Sequence, residues 1–193
     1  VFVDGYEDLI PALLAGKGDV IAHNLTVTAS RQKKIAFSVP VAYVREQIVA
    51  RADDAVEGPG DLKGRKVALH ASASYAETIN RLRKRRPGIG VENVPEHIPT
   101  EAILEGVADG GYDLTVADSN MFRAVKAYRQ DLKAAFNLGN VRSIGWGVRP
   151  DSVKLLEALN GYLGEHHLAG AGPTARKGDL DKIKERKVLR VLT

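Results

Sequence analysis

The sequence predicts an α/β fold of two lobes, each a mostly parallel sheet flanked by helices. Three observations predict it. Short apolar runs rich in β-branched residues alternate with segments whose apolar residues recur at helical spacing, which is the signature of β-α-β units. The middle third repeats this alternation as a unit of its own before the chain returns. And 193 residues, 44% of them hydrophobic and 27% charged, suffice to divide a buried core between a pair of compact lobes.

Val1 to Val3 reads as a short strand, followed by Tyr6, Leu9, Ile10, Leu13 and Leu14 on one helical face. Gly16 and Gly18 stop that helix, and Asp19 to Ala22 resumes as a strand ending in a polar loop at His23 and Asn24. Glu46 to Arg51 is the next clear strand. Gly58-Pro59-Gly60 then turns the chain into a strand at Lys66 to His70. Strands at Val91 to Val94 and Tyr112 to Ala117 alternate with helices carrying Tyr75, Ile79 and Leu82, then Ile103 and Val107. Ser143 to Val148 reads as a return strand, with Ser152 capping a helix that buries Leu156, Leu159 and Leu163. His166 and His167 mark its end. An Ala/Gly-rich linker to Lys177, a short helix at Asp179 to Ile183 and a β-branched strand at Val188 to Thr193 complete the chain.

Composition narrows the function. Cysteine is absent, which excludes a disulfide scaffold, thiolate metal ligands and a thiol nucleophile. No apolar run is long enough to cross a hydrocarbon core about 30 Å thick. The net charge of +4 is far from a nucleic-acid signature. The basic run Arg81, Arg83, Lys84, Arg85 and Arg86 closes a helix, where positive charge complements the macrodipole, and lacks interleaved aromatics for stacking on bases. No nucleic-acid partner and no cofactor are therefore expected.

The run Gly18-Asp19-Val20-Ile21-Ala22-His23-Asn24-Leu25-Thr26-Val27-Thr28-Ala29-Ser30-Arg31, followed by Ala36-Phe37-Ser38-Val39-Pro40, resembles the family-3 extracellular solute-binding proteins, the amino-acid receptors of ABC importers. It looks even more like the receptor-like domain of the membrane-bound lytic transglycosylase F family. Ala73-Ser74-Tyr75 and Val116-Ala117-Asp118-Ser119 extend that likeness. The resemblance covers Val1 to about Leu168 and again Asp179 to Thr193. It implies a periplasmic binding protein type II fold, a periplasmic address, and a small-molecule ligand held in a cleft between lobes. It also implies a permease or a fused transglycosylase domain as partner.

In that family the Arg of Thr-x-Thr-x-x-Arg grips a ligand α-carboxylate, so the resemblance places Arg31 in this role. The physics agrees, because a guanidinium presents paired N–H donors in a plane that matches a carboxylate. Thr26 and Thr28 can add hydroxyl and amide donors, although Thr28 or Ser30 would also serve simply to cap a helix. Ser74 with Glu77 reads as a Ser-x-x-Glu capping box, while the family places ligand contacts at the same turn, at Ser74 and Tyr75. Asp118 ends a strand and precedes a helix, which suits an N-cap; the matching family carboxylate holds the ligand ammonium. Asn24, like His23, lies at a strand end, where open sheets present residues to ligands, although a plain loop role would explain both equally well. His70 lies similarly, with no second histidine or carboxylate at ligand spacing, so no metal site is expected.

The expected lobes are residues 1–44 with 143–193, and residues 45–142. In the family a strand like Val188 to Thr193 opens the domain, followed by an aromatic-bearing loop and a helix before the strand that here is Val1 to Val3. The tail strand without that loop and helix implies a circular rearrangement or a piece of a tandem array, and the loss of an aromatic lid over the ligand. The expected function is a non-enzymatic module that binds a zwitterionic ligand such as an amino acid; the alternative is a regulatory domain that recognises muropeptides. No Glu-Ser dipeptide of the transglycosylase type occurs, so such catalysis would belong to another domain.

Overall fold

The structure is a computed structural model and describes residues 6–166. The expected strands at Val1 to Val3 and Val188 to Thr193, the linker and the short helix at Asp179 lie outside the described residues.

A single 3-10 turn at Tyr6–Asp8 leads into α1 (Leu9–Leu14), which ends where Gly16 takes a φ of 73° that side chains disfavour. β1 (Val20–Ile21) follows, then the one-turn helix α2 (Ala29–Gln32), β2 (Ala36–Phe37) and β3 (Ala42–Val44). After Arg45 comes β4 (Glu46–Arg51), then β5 (Lys66–Leu69), α3 (Ser74–Arg85), β6 (Gly90–Asn93), α4 (Thr100–Ala108), β7 (Leu114–Asp118), α5 (Ser119–Lys126) and β8 (Leu132–Asn137). The chain returns through β9 (Arg142–Ile144) and β10 (Gly147–Val148) to α6 (Val153–His166).

Among the described residues the strands form a three-stranded sheet β1-β10-β2, a two-stranded ribbon β3-β9, and a five-stranded sheet β6-β5-β7-β4-β8. The five-stranded sheet is mixed. Its β6-β5-β7 side is parallel, because α3 and α4 carry the chain back across the sheet. The β7-β4 and β4-β8 pairs are antiparallel, as are both described pairs of the three-stranded sheet. The expectation of mostly parallel sheets is thus corrected. β4 enters from the β3-β9 ribbon and β8 leaves toward it, so both run against the strands that the helices connect.

Both faces of the five-stranded sheet are covered. One packs Ile48, Ala50, Val67, Leu69, Leu114 and Val116 against Ala76 and Ile79 of α3. The other packs Val49 and Ala117 against Leu104 and Val107 of α4 and Val125 of α5. The valine, leucine and isoleucine side chains among these contribute about 1.5–3 kcal/mol each when fully withdrawn from water, which fixes the ends of β5 and β7 relative to α3 and α5. A separate core of Leu13, Ile21, Leu25 and Ile35, with Tyr6, Leu9 and Ile10 packed on it, fixes the loop before α2. Gly106 permits one close approach in α4: a Cβ there would meet the Tyr112 ring at 2.6 Å.

The expected return strand at Ser143 to Val148 is two strands. It breaks at Gly145 and Trp146, where the chain passes from pairing with β3 to pairing with β1 and β2.

Candidate functional site

A cleft of about 600 Å³ opens where the loop before α2, the loop before α3, the loop before α4 and the start of α5 converge. Its lining includes Asn24, Thr26, His70, Ser74, Tyr75 and Asp118, six of the eight residues that the sequence points to. Thr28 and Arg31 are not among the lining residues. Arg31 stands one layer behind Thr26 and Ser72, both of which do line it.

Thr28 is the N-cap of α2: its backbone is extended, and its hydroxyl accepts from the Arg31 amide at 3.3 Å. That cap starts a turn which carries Arg31 inward, where it is 9% exposed. The Arg31 guanidinium donates to the Thr26 carbonyl at 2.9 Å and to the Ser72 carbonyl at 3.3 Å. Its Cζ lies 5.3 Å from the centroid of the Tyr6 ring, within cation–π range. Burial pushes the Tyr6 hydroxyl above its ordinary value, and the Arg31 charge pulls it partly back. Tyr6, read from sequence as one apolar residue of a helix face, is therefore an aromatic wall of the cleft and the platform for Arg31. It also meets His23 edge-on at 5.4 Å and donates to the Asn24 carbonyl at 3.1 Å.

Asp118, which also lines the cleft, is the last residue of β7 and 7% exposed. It occupies the N-cap position of α5, yet its side chain caps nothing. Its Oδ1 is buried with no hydrogen-bond partner among the described residues. Burial, then the negative charge of Glu46, push its carboxyl up to about 6; Arg142, Arg31 and a hydrogen bond with Thr26 act in the other direction. A buried carboxylate with one bare oxygen carries an unmet demand for a cation or donor.

The capping box expected at Ser74 and Glu77 is absent. Ala73 holds the N-cap position of α3, and the Ser74 hydroxyl reaches Glu46 at 3.3 Å. Glu77 instead accepts from the Ser30 hydroxyl at 2.6 Å, tying α3 to α2. Ser74 turns to the distant partner because Glu46, 2% exposed, is a buried acid in need of donors. It takes hydroxyls from Ser74 and from Thr78 (2.8 Å) and an ion pair with Arg142 at 3.1 Å. Tyr75 is buried at the same turn, its hydroxyl held above the ordinary value mainly by burial, with a hydrogen bond to Thr100 lowering it. His70 is tied through Nε2 to the Ile98 carbonyl at 2.8 Å, which explains its burial without a ligand role. Asn24 faces Asn120, whose amide donates to it at 3.2 Å. No set of histidine, aspartate or glutamate side chains suited to a metal ion occurs among the described residues, and no helix there is long and apolar enough to cross a membrane.

Sequence reasoning missed Glu46, Ser72, Glu96 and Arg142. Glu96 accepts from the Ser72 amide at 3.1 Å and hydroxyl at 2.6 Å, and lines the cleft. The one available signal was a charged residue, Glu46, opening a strand whose centre, Ile48-Val49-Ala50, is apolar.

Comparison with known proteins places this geometry. Residues 2–172 match the bacterial extracellular solute-binding proteins, family 3. The membrane-bound lytic murein transglycosylase F of Desulfosudis oleivorans is 30% identical over 163 residues, which is 83% of this chain and 36% of that protein. That of Pseudomonas fluorescens is 29% identical over 186 residues, again 36% of its length. The chain thus spans about a third of the length of the curated relatives it matches. Among solved structures, holo ArgBP from T. maritima is 31% identical with a TM-score of 0.72, covering 86% of this chain and 70% of that one. An ancestral arginine-binding protein bound to arginine is 26% identical with a TM-score of 0.75, covering 84% and 71%. With a family match over most of its length, and a cleft built on the type II periplasmic binding fold of these neighbours, the chain belongs to the bacterial extracellular solute-binding proteins, family 3.

Proposed function

We propose that this chain binds a small zwitterionic ligand, an amino acid or a close relative, between two lobes formed by residues 1–44 with 143–193 and by residues 45–142. The observation that carries the reading is Asp118 Oδ1, a buried carboxylate oxygen without a partner among the described residues, at the wall of a cleft backed by a guanidinium. A ligand ammonium supplies the missing partner. The ligand carboxylate is met by Arg31 with Thr26 and Thr28, taking the place of the Ser72 carbonyl, the longer of the two contacts that the guanidinium makes. Ser74 and Tyr75 close over the ligand, and Asn24 and His70 complete the wall. Solved relatives bound to arginine and to glutamine support an amino acid as the ligand class.

The binding step involves no covalent chemistry. The module acts in the cell envelope, at the periplasmic side, with either a permease or an attached transglycosylase domain as its partner. A second reading, a regulatory module that recognises muropeptides, is favoured by the relatives named as lytic murein transglycosylases.

Isothermal titration with an amino-acid panel and with muropeptides, repeated on Arg31→Ala, separates the two. Saturable amino-acid binding that Arg31→Ala abolishes is expected. Binding of muropeptides alone supports the second reading, and turnover of any ligand overturns both.

A further inference from the structure

We infer that the cleft selects a ligand carrying a second positive charge, a basic amino acid with a guanidinium or ammonium side chain, and that Glu96 and Glu101 read that charge. This rests on the proposed role of Asp118 in holding the ligand's α-ammonium.

The charge of the lining carries the argument. Among the described residues three carboxylates line the cleft, Asp118, Glu96 and Glu101, and neither lysine nor arginine does. A neutral zwitterion brings one ammonium, which Asp118 takes, and leaves the other two acids facing the ligand without a counter-charge. Charges that meet inside a partly enclosed cleft interact more strongly than they do in bulk water. An acidic ligand is repelled and a basic one is drawn in.

Glu96 is also positioned. The Ser72 amide and hydroxyl hold one oxygen each, which orients the carboxylate, while an ionised carboxylate has further lone pairs to offer. Asp118 and Glu96 both act electrostatically on the Tyr75 hydroxyl, so this ring stands near both acids, along the path that an extended ligand would follow. Tyr6 and Tyr75 supply aromatic surface, which favours cations. A bare metal ion does not fit, since no metal-holding group occurs among the described residues; an organic cation with charges at both ends does.

The test titrates the full chain with arginine, its neutral isostere citrulline, lysine, glutamine and glutamate, and repeats arginine and citrulline on Glu96→Gln, Glu101→Gln and Asp109→Asn. Arginine is expected to bind at least about tenfold tighter than citrulline, the scale of one charge-assisted contact. That ratio should fall below about threefold in Glu96→Gln or in Glu101→Gln. Asp109, whose exposed carboxylate pairs with Arg129, lies outside the lining, so its variant should keep the full ratio and exclude an effect of net charge alone. Thermal melts establish that each variant is folded, and Glu101→Gln stands in should Glu96→Gln lose its structure. If citrulline or glutamine equals arginine, or the ratio survives both glutamate variants, charge selection is overturned while amino-acid binding stands. If no amino acid binds, the proposed function falls and this inference with it.

Discussion

Glu46 and Asp118 are register partners across the antiparallel pair β4-β7, yet their carboxylates are treated unequally. Glu46 has the Arg142 guanidinium and two hydroxyls; Asp118 has a bare oxygen. Two buried acids sit on neighbouring strands and the ion pair beside them belongs to Glu46, so the surplus negative charge falls to Asp118 at the cleft.

The surplus sets a pH dependence of stability. The Asp118 carboxyl has a folded value of about 6 against an ordinary 3.8, so the folded chain holds its proton over a window where the unfolded chain has released it. Stability of the unliganded protein should therefore fall as pH rises from about 4 to about 6 and level off above. The gap corresponds to about 3 kcal/mol at most. Asp118→Asn should remove this slope in urea melts followed across pH.

Ligand affinity should run the opposite way. An ammonium needs the ionised carboxylate, so binding weakens as pH falls through about 6, approaching tenfold per pH unit below it. Titrations at pH 5 and pH 7.5 check this, and Asp118→Asn should bind weakly at both.

Arg31→Ala strips the Thr26 and Ser72 carbonyls of a donor and the Tyr6 ring of its cation. A stability loss of about 2–3 kcal/mol is expected in denaturant melts, since each buried acceptor left unpaired costs about 1–3 kcal/mol. Arg31→Lys should not restore binding, because a point charge replaces a planar fork.

Breaking the Glu46–Arg142 pair from one side should be severe. Arg142→Ala leaves a nearly fully buried carboxylate uncompensated, and a loss of about 3–5 kcal/mol is expected. Replacing both partners, Glu46→Gln with Arg142→Met, should recover much of it in the same melts.

Ser30→Ala should leave stability within about 1 kcal/mol, because its bond to Glu77 is exposed. That bond nonetheless joins α2 to α3 beside the cleft. Small-angle scattering of Ser30→Ala should show a larger radius of gyration than the parent chain, through a wider opening between the two sides.

Local signals made much of this legible. β4 spans the expected Glu46 to Arg51, and α3 follows the periodicity of Tyr75, Ile79 and Leu82, because these elements bury a continuous apolar pattern. β8 did not emerge, since Leu132-Lys133-Ala134-Ala135-Phe136-Asn137 lacks alternation and owes its strand form to pairing with β4. The capped turn that carries Arg31 inward was legible from its motif. The roles of Glu46, Glu96 and Tyr6 were not, because each depends on a partner 18 to 32 residues away that only the register and the loops supply. Ser74 misled for the same reason: a hydroxyl at a helix start can turn to its own backbone or outward, and a buried acid elsewhere decided it.

Arg142 opens β9, which pairs with β3 in the ribbon through which the chain passes between its larger and smaller sheets. The guanidinium that offsets the buried acids is thus mounted on the joint itself. Any bending there alters the potential felt at Asp118, and by thermodynamic reciprocity any cation captured at Asp118 alters the preferred bend.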